Sequence, residues 1–225
     1  MSFNREQNTF RTFGRAKGRS LTPAVQALWD EHFPRLKWDV EAPLPTKPLW
    51  LEIGFGGAEH VLWQAEHYPD VHIVGAEPFL NGVAKAVRGA VEGELDNLSL
   101  HHGDVRELMT ALPDASLDKV FVLFPDPWPK SRHHKRRLLR SEFIAEIYRV
   151  LKPGGEFRFG SDIIHYVDWT LTRLKRHGGF DFTPEQQGDW RVRPADWPET
   201  RYQQKALREG RICHYFIFKR NDHET

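Results

Sequence analysis

Between residues 49 and 182, short apolar runs alternate with stretches of helical periodicity, and this alternation leaves few folds open. Leu49–Ile53 reads as a strand, Gly54-Phe55-Gly56-Gly57 as a turn, and Ala58, Val61, Leu62 and Ala65 as one face of a helix. The cycle then repeats. Val71–Ala76 precedes Val83, Ala84, Val87 and Val91; Leu98–Leu100 precedes Leu108, Met109 and Leu112. Val120–Phe124 precedes the amphipathic segment Phe143–Leu151, which is expected to stop at Lys152-Pro153-Gly154-Gly155. Glu156–Phe159 precedes a helix over Ile163–Arg176, and Phe180–Phe182 and Ile212–Phe218 complete the set, with a helix at about 199–209 between them. Strands joined through helices need right-handed crossovers, so an α/β fold with a mostly parallel, seven-stranded sheet is expected. Val120–Phe124 is apolar throughout, as a central strand covered on both faces must be.

A chain of 225 residues suits one main domain, expected over 49–220. Before it, residues 21–48 read as a helix and a proline-rich linker: Thr22-Pro23 supplies an N-cap and a first-turn proline, and 41–48 carries three prolines. Residues 1–20 read as a flexible arm carrying Arg5, Arg11, Arg15, Lys17 and Arg19. The 32 Lys and Arg nearly cancel the 31 Asp and Glu, so net charge selects no partner, but basic residues concentrate at 5–19 and 130–140. A single cysteine, Cys213, excludes an internal disulfide, and no His or Cys spacing suggests a metal. No apolar run is long enough to span a membrane and no signal-peptide core is present, so a cytoplasmic protein without a membrane, metal or obligate protein partner is expected.

Ligands of such sheets bind outside the carboxyl ends of the strands. Glu52, Glu77, Asp104, Asp126 and Asp162 all fall at expected strand ends, beside Gly54 and Gly56. The glycine turn after the first strand, with Glu77 closing the second, suggests a nucleoside whose ribose hydroxyls are accepted by a carboxylate. NAD and S-adenosylmethionine both meet that description. Glu59 stands where a dinucleotide fingerprint has its third glycine, and a diphosphate would not welcome it at a helix N-terminus. Glu52 suits a ligand ammonium, and Asp104 suits an adenine amino group. An acid-lined site therefore fits a cationic sulfonium better than a pyrophosphate.

Phe124-Pro125-Asp126-Pro127-Trp128-Pro129-Lys130 follows the fourth strand. Three prolines fix φ and remove donors, so the segment reads as a stiff loop presenting Asp126 and Trp128. Arg132, His133, His134, Lys135, Arg136 and Arg137 follow at once, with no acid among them. A solvated basic face is the bland reading; phosphate contacts beside a catalytic aspartate are the functional one.

Glu52-Ile53-Gly54-Phe55-Gly56, Ala76-Glu77 and Gly103-Asp104 together resemble a class I S-adenosylmethionine-dependent methyltransferase, with its Rossmann-like fold. The Pro125–Lys130 loop with its basic block, the Gly18-Arg19 segment and Thr200-Arg201-Tyr202-Gln203 resemble the tRNA (guanine-N7)-methyltransferase family. The resemblance covers roughly residues 10–220. It implies S-adenosylmethionine as cofactor, held by Glu52, Gly54, Gly56, Glu77, Asp104 and Asp126, and tRNA as substrate. It further implies catalysis by Asp126, substrate contacts from Lys130, Asp162 and Thr200–Gln203, and RNA contacts from 132–137. Gln203 departs from the family's usual Glu. Two other readings remain open at this point: an exocyclic-amine methyltransferase using Asp126-Pro127-Trp128, and an RNA-binding protein with an inactive methyltransferase fold.

Overall fold

The computed structural model describes residue 13 and residues 18–222. Of the basic arm, Arg5, Arg11, Arg15 and Lys17 lie outside the described residues. The first helix, α1 (Pro23–Leu36), starts as expected: Thr22 accepts a hydrogen bond from the Val25 amide at 3.4 Å, and Pro23 occupies the first turn.

Among the described residues seven strands follow: β1 (Leu49–Ile53), β2 (His72–Ala76), β3 (Leu98–His101), β4 (Leu117–Leu123), β5 (Leu151–Ser161), β6 (Phe180–Phe182) and β7 (His214–Arg220). They form one sheet in the order β3-β2-β1-β4-β5-β7-β6, parallel except for β7, which runs antiparallel to both neighbours. Helices α2 (Glu59–His67), α3 (Leu80–Glu92), α4 (Val105–Ala111), α5 (Ser141–Val150), α6 (Ile164–His177) and α7 (Arg201–Arg208) fill the connections.

Alternate residues of each strand serve opposite faces. In β1, Leu49, Leu51 and Ile53 join a core with α4, α5 and α6, including Leu108, Ile144, Ile147 and Tyr166. Trp50 joins a second core with α2 and α3, through Val61, Val83 and Val87. β1 is flanked by β2 on one side and β4 on the other. Chain direction across the sheet therefore reverses between β1 and β4, and a crevice opens there at the strands' carboxyl ends. The turn after β1 and the proline loop after β4 meet at that crevice.

Several strand boundaries differ from the periodicity; β7, expected over Ile212–Phe218, runs from His214 to Arg220. β5 begins at Leu151, immediately after α5, because Leu151 pairs with Leu117. The register then shifts between Leu117 and Lys119, and Pro153-Gly154-Gly155 is accommodated at that irregularity. β4 in turn starts at Leu117 and ends at Leu123, one residue before Phe124. The basic block is a 3-10 helix over Ser131–Arg136, tighter than an α-helix.

Candidate functional site

The crevice deepens into a cavity of about 710 Å³ that runs from Gly54 and Gly56 past Glu77 and Asp104 to Asp126, with Tyr202 also in its wall. Gly54 and Gly56 sit at φ +73° and +53°, which glycine adopts without strain. A Cβ on Gly56 would also lie 2.9 Å from the Tyr202 ring. The turn can thus follow its path, and α7 can lie against it, only with glycine there.

Glu77 is buried, and its two oxygens accept from the amides of Gly56 (2.7 Å) and Phe79 (2.9 Å). Each oxygen keeps a second lone pair for a ligand donor. Burial pushes the Glu77 carboxyl above the ordinary glutamate value, the two amides pull it back, and the charges of Asp126 and Glu52 add to the rise.

Asp104 caps α4 by accepting from the Arg106 amide at 3.0 Å. The Arg106 side chain also grips it, Nε to Oδ1 at 2.8 Å and Nη2 to Oδ2 at 2.6 Å. That bidentate grip raises the Arg106 pKa and fixes the plane of the carboxylate.

Asp126 is held by backbone strain on either side. Phe124 and Trp128 both occupy left-handed conformations, at φ 48° and 42°. Non-glycine residues there cost of order 1–3 kcal/mol each and persist only where surroundings enforce them. Here the enforcement is visible. The Phe124 amide donates to the Gly160 carbonyl at 2.8 Å, tying the loop to β5. Arg137 donates from Nε to the Pro127 carbonyl at 2.8 Å, and its guanidinium lies over the rings of Tyr166 and Trp169. Arg136 lies over Trp128 at 4.9 Å and over Phe13 at 5.3 Å. The Asp126 side chain opens onto the cavity and stays exposed there, and the partial desolvation it meets at the cavity wall pushes its carboxyl above the ordinary aspartate value.

The 3-10 helix is therefore two things in one segment. Arg137, just after it, is only 3% exposed and turned inward against the loop. Lys130, Arg132 and Lys135 face solvent, Lys135 and Arg136 at the cavity's edge. His133 stands edge-on to Trp128 and His134 edge-on to Trp169.

The remaining residues singled out from the sequence lie around this cavity rather than in its wall. Glu52 is 3% exposed, with its carboxylate 2.7 Å from His60 Nδ1. The Gln64 side-chain nitrogen donates to the Asp196 carbonyl (2.9 Å) and stands 3.1 Å from His60 Nε2. That nitrogen can only donate, so Nε2 accepts and Nδ1–H donates to Glu52. Asp162 pairs with Arg211. Thr200 caps α7, accepting from the Gln203 amide, and Gln203 is buried. Arg201 pairs with Glu59 at the start of α2, which brings the head of α7 over the glycine turn. Arg106 and His60 carry no signal in the sequence that distinguishes them from their neighbours, and neither does the inward turn of Arg137. Among the described residues, no group of three or more His, Cys, Asp or Glu side chains could hold a metal ion, and no helix is long and apolar enough to cross a membrane.

Comparison with known proteins agrees with this architecture. Residues 46–215 match the family model Methyltransf_4, described as "Putative methyltransferase". A tRNA (guanine-N(7)-)-methyltransferase of Ruegeria sp. (strain TM1040) is 46% identical over 224 residues, covering 93% of this chain and 88% of that protein. One of Roseobacter denitrificans is 46% identical over 222 residues, covering 92% and 95%. One of Paracoccus denitrificans is 50% identical over 174 residues, covering 77% and 72%. Among solved structures, a 30S ribosomal A1408 methyltransferase from an uncultured bacterium superposes with a TM-score of 0.53 at 16% identity, covering 77% of this chain and 88% of that one. At that identity the likeness speaks for the shared Rossmann-like fold alone.

Proposed function

We propose, from the premise that this chain belongs to the tRNA (guanine-N(7)-)-methyltransferase family, that it methylates N7 of a guanine in tRNA at the cavity beside Asp126. The target is the variable-loop guanine 46 of tRNA convention. The observation that carries the reading is the convergence of Glu77, Asp104 and the strained Asp126 loop on one cavity whose edge is cationic.

The residues fit S-adenosylmethionine. Glu77 holds two carboxylate oxygens, already oriented by backbone amides, toward a pair of vicinal hydroxyls. Asp104, set in plane by Arg106, suits the adenine amino group, and Gly54 and Gly56 let backbone approach closely. Glu52 supplies negative potential from beneath the turn, in keeping with a ligand that carries an ammonium and a sulfonium. When bound, the cofactor supplies an electrophilic methyl group on sulfur.

Guanine N7 carries an in-plane lone pair and no proton, so its attack needs no general base. It needs alignment, which fixed walls provide. The methylated base is cationic, and a carboxylate fixed beside it stabilises charge that grows in the transition state. Asp126, in the cavity wall, suits that role, and its strained loop keeps it from relaxing away. Its oxygens also suit guanine N1–H and the exocyclic amine. Tyr202, half-exposed in the cavity wall, suits a contact with the base or sugar, as part of the substrate set Thr200–Gln203 with Lys130 and Asp162. Arg132, His133, His134, Lys135 and Arg136 suit phosphates, whereas the buried Arg137 acts on RNA through the loop it positions. The narrow major groove of A-form RNA hides N7, so the target base must be unpaired or splayed from its stack.

Transfer of labelled methyl from S-adenosylmethionine to unmodified tRNA, followed by nucleoside analysis, tests this. Label in N7-methylguanosine is expected. Label on an exocyclic nitrogen, or none, would overturn it.

A further inference from the structure

Beyond the basic 3-10 helix, one face of α6 carries a cationic strip of which the site uses only Trp169, the ring that backs Arg137. His165, Trp169, Arg173 and Arg176 recur at i, i+4, i+8 and i+11, which places them along one side of that helix. Trp169 joins this strip to the 3-10 helix. His134 stands 5.2 Å from its ring, the Arg137 guanidinium lies 4.7 Å from it, and Arg173 covers it at 3.1 Å. Arg173 also donates to the Trp169 carbonyl at 3.0 Å. The strip is thus joined through Trp169 and His134 to the surface that begins at Lys130.

Its charge is poorly compensated. Among the described residues, neither Arg173 nor Arg176 forms an ion pair, and neither do Lys130, Arg132, Lys135 or Arg136. Glu142, the acid whose charge reaches Arg173, is itself paired with Arg140 at 3.1 Å. Burial, with the charges of Arg176 and Arg137, works against protonation of Arg173. A fold that needed only a capped helix would place its cations in the last turn, where Lys175, Arg176 and His177 already lie. Arg173 lies deeper in the helix, among like charges, and that favours an anionic partner.

Resting on the reading of this chain as a tRNA methyltransferase, we propose that the Trp169–Arg173–Arg176 face of α6 binds the phosphates of a helical stem next to the target nucleotide. The 14 residues of α6 extend over about 21 Å, starting beside Asp162, so this face lies within reach of a stem whose loop enters the cavity. The Trp169 ring already carries the Arg173 guanidinium at 3.1 Å and the Arg137 guanidinium at 4.7 Å, and its indole N–H donates to the Leu139 carbonyl at 3.0 Å, so the ring's partners are within the protein. The contact is therefore with backbone, independent of sequence, and gives affinity and register. A-form stems present such phosphates on their outer rims.

Arg176→Glu, at an exposed position, tests the proposal, with Arg173→Gln as a second variant. Binding of an unmodified tRNA transcript is measured by anisotropy across a salt series, beside a short single-stranded oligonucleotide carrying the target loop. Each variant should weaken tRNA binding by about fivefold to tenfold and lower its salt slope by about 1. Oligonucleotide binding and the single-turnover rate at saturating tRNA should not change. Wild-type tRNA affinity and slope in both variants would overturn the proposal, and so would an equal loss on the oligonucleotide. If the wild-type protein methylates no tRNA, the functional reading itself fails, which is a separate outcome.

Discussion

Asp126 lies between two residues, Phe124 and Trp128, that the backbone holds in left-handed conformations, and Arg137 reaches back to the carbonyl of the proline next to it. A strained loop of this kind fixes a carboxylate where a flexible one would swing toward solvent. Two substitutions separate the carboxylate from its support. Asp126→Asn keeps the shape and removes the charge, so single-turnover methylation should fall by about 10²-fold or more while S-adenosylhomocysteine still binds. Arg137→Met keeps much of the packing and removes the hydrogen bond to Pro127. It should cost about 1.5–3 kcal/mol of stability, read as a lower unfolding midpoint, and also slow the chemical step with tRNA affinity nearly intact. A large loss of tRNA affinity in Arg137→Met, with stability unchanged, would return that residue to the phosphate-binding set. Arg136 and Arg137 look alike in the sequence. A charge run does not show which member turns inward, because that depends on Tyr166 and Trp169, about thirty residues away in the chain.

At the scale of elements, the cofactor turn and α7 are joined across the crevice by Arg201–Glu59 and by the Tyr202 ring over Gly56. Both members of that ion pair are partly exposed, and such pairs contribute only about 0.2–1 kcal/mol. Glu59→Gln should therefore leave the melting temperature almost unchanged while raising KM for tRNA or cofactor, since α7 would be less firmly held. If steady-state kinetics are unaltered, α7 is held by its packing alone. The elements themselves were largely legible. β1, β6 and the start of α1 follow from apolar runs and a Thr-Pro cap, because local chemistry decides them. The start of β5 was not, since it depends on Leu151 meeting Leu117 across the sheet. Nor was the burial of Glu52, whose ligand-like position at a strand end conceals a hydrogen bond to a helix one turn further on. The strain at Phe124 and Trp128 was likewise hidden, although the prolines between them did mark the loop as stiff.

Across the whole molecule, the acids gathered at one end of the sheet link ligand binding to pH. Burial of Glu77, and partial desolvation of the exposed Asp126, raise the native carboxyls above their usual values of 4.5 and 3.8. For each, the folded state takes up its proton more readily than the unfolded chain does. Their contribution to stability is therefore fully present below the unfolded pKa and is lost as pH rises through the folded one. A cationic cofactor favours the ionised forms, so its affinity should decline on acidification from a pH above the ordinary glutamate value. Calorimetric titration of S-adenosylhomocysteine and S-adenosylmethionine across that range checks the sign, and the steeper decline is expected for the sulfonium. An affinity that holds steady down to pH 4.5 would contradict it.

The position of β7 has a consequence for how the protein is made. It lies between β5 and β6, yet it follows every other strand in the chain. During synthesis the chain grows from its N-terminus at about 5–20 residues per second, and parallel strands can assemble as they emerge. Until His214–Arg220 has been translated, however, β5 is an open edge and β6 has no strand to pair with. Open edges invite pairing with other chains. The nascent protein is thus most vulnerable between the emergence of β5 and that of β7, and a chaperone that shields β5 over that interval would protect it where it most needs help.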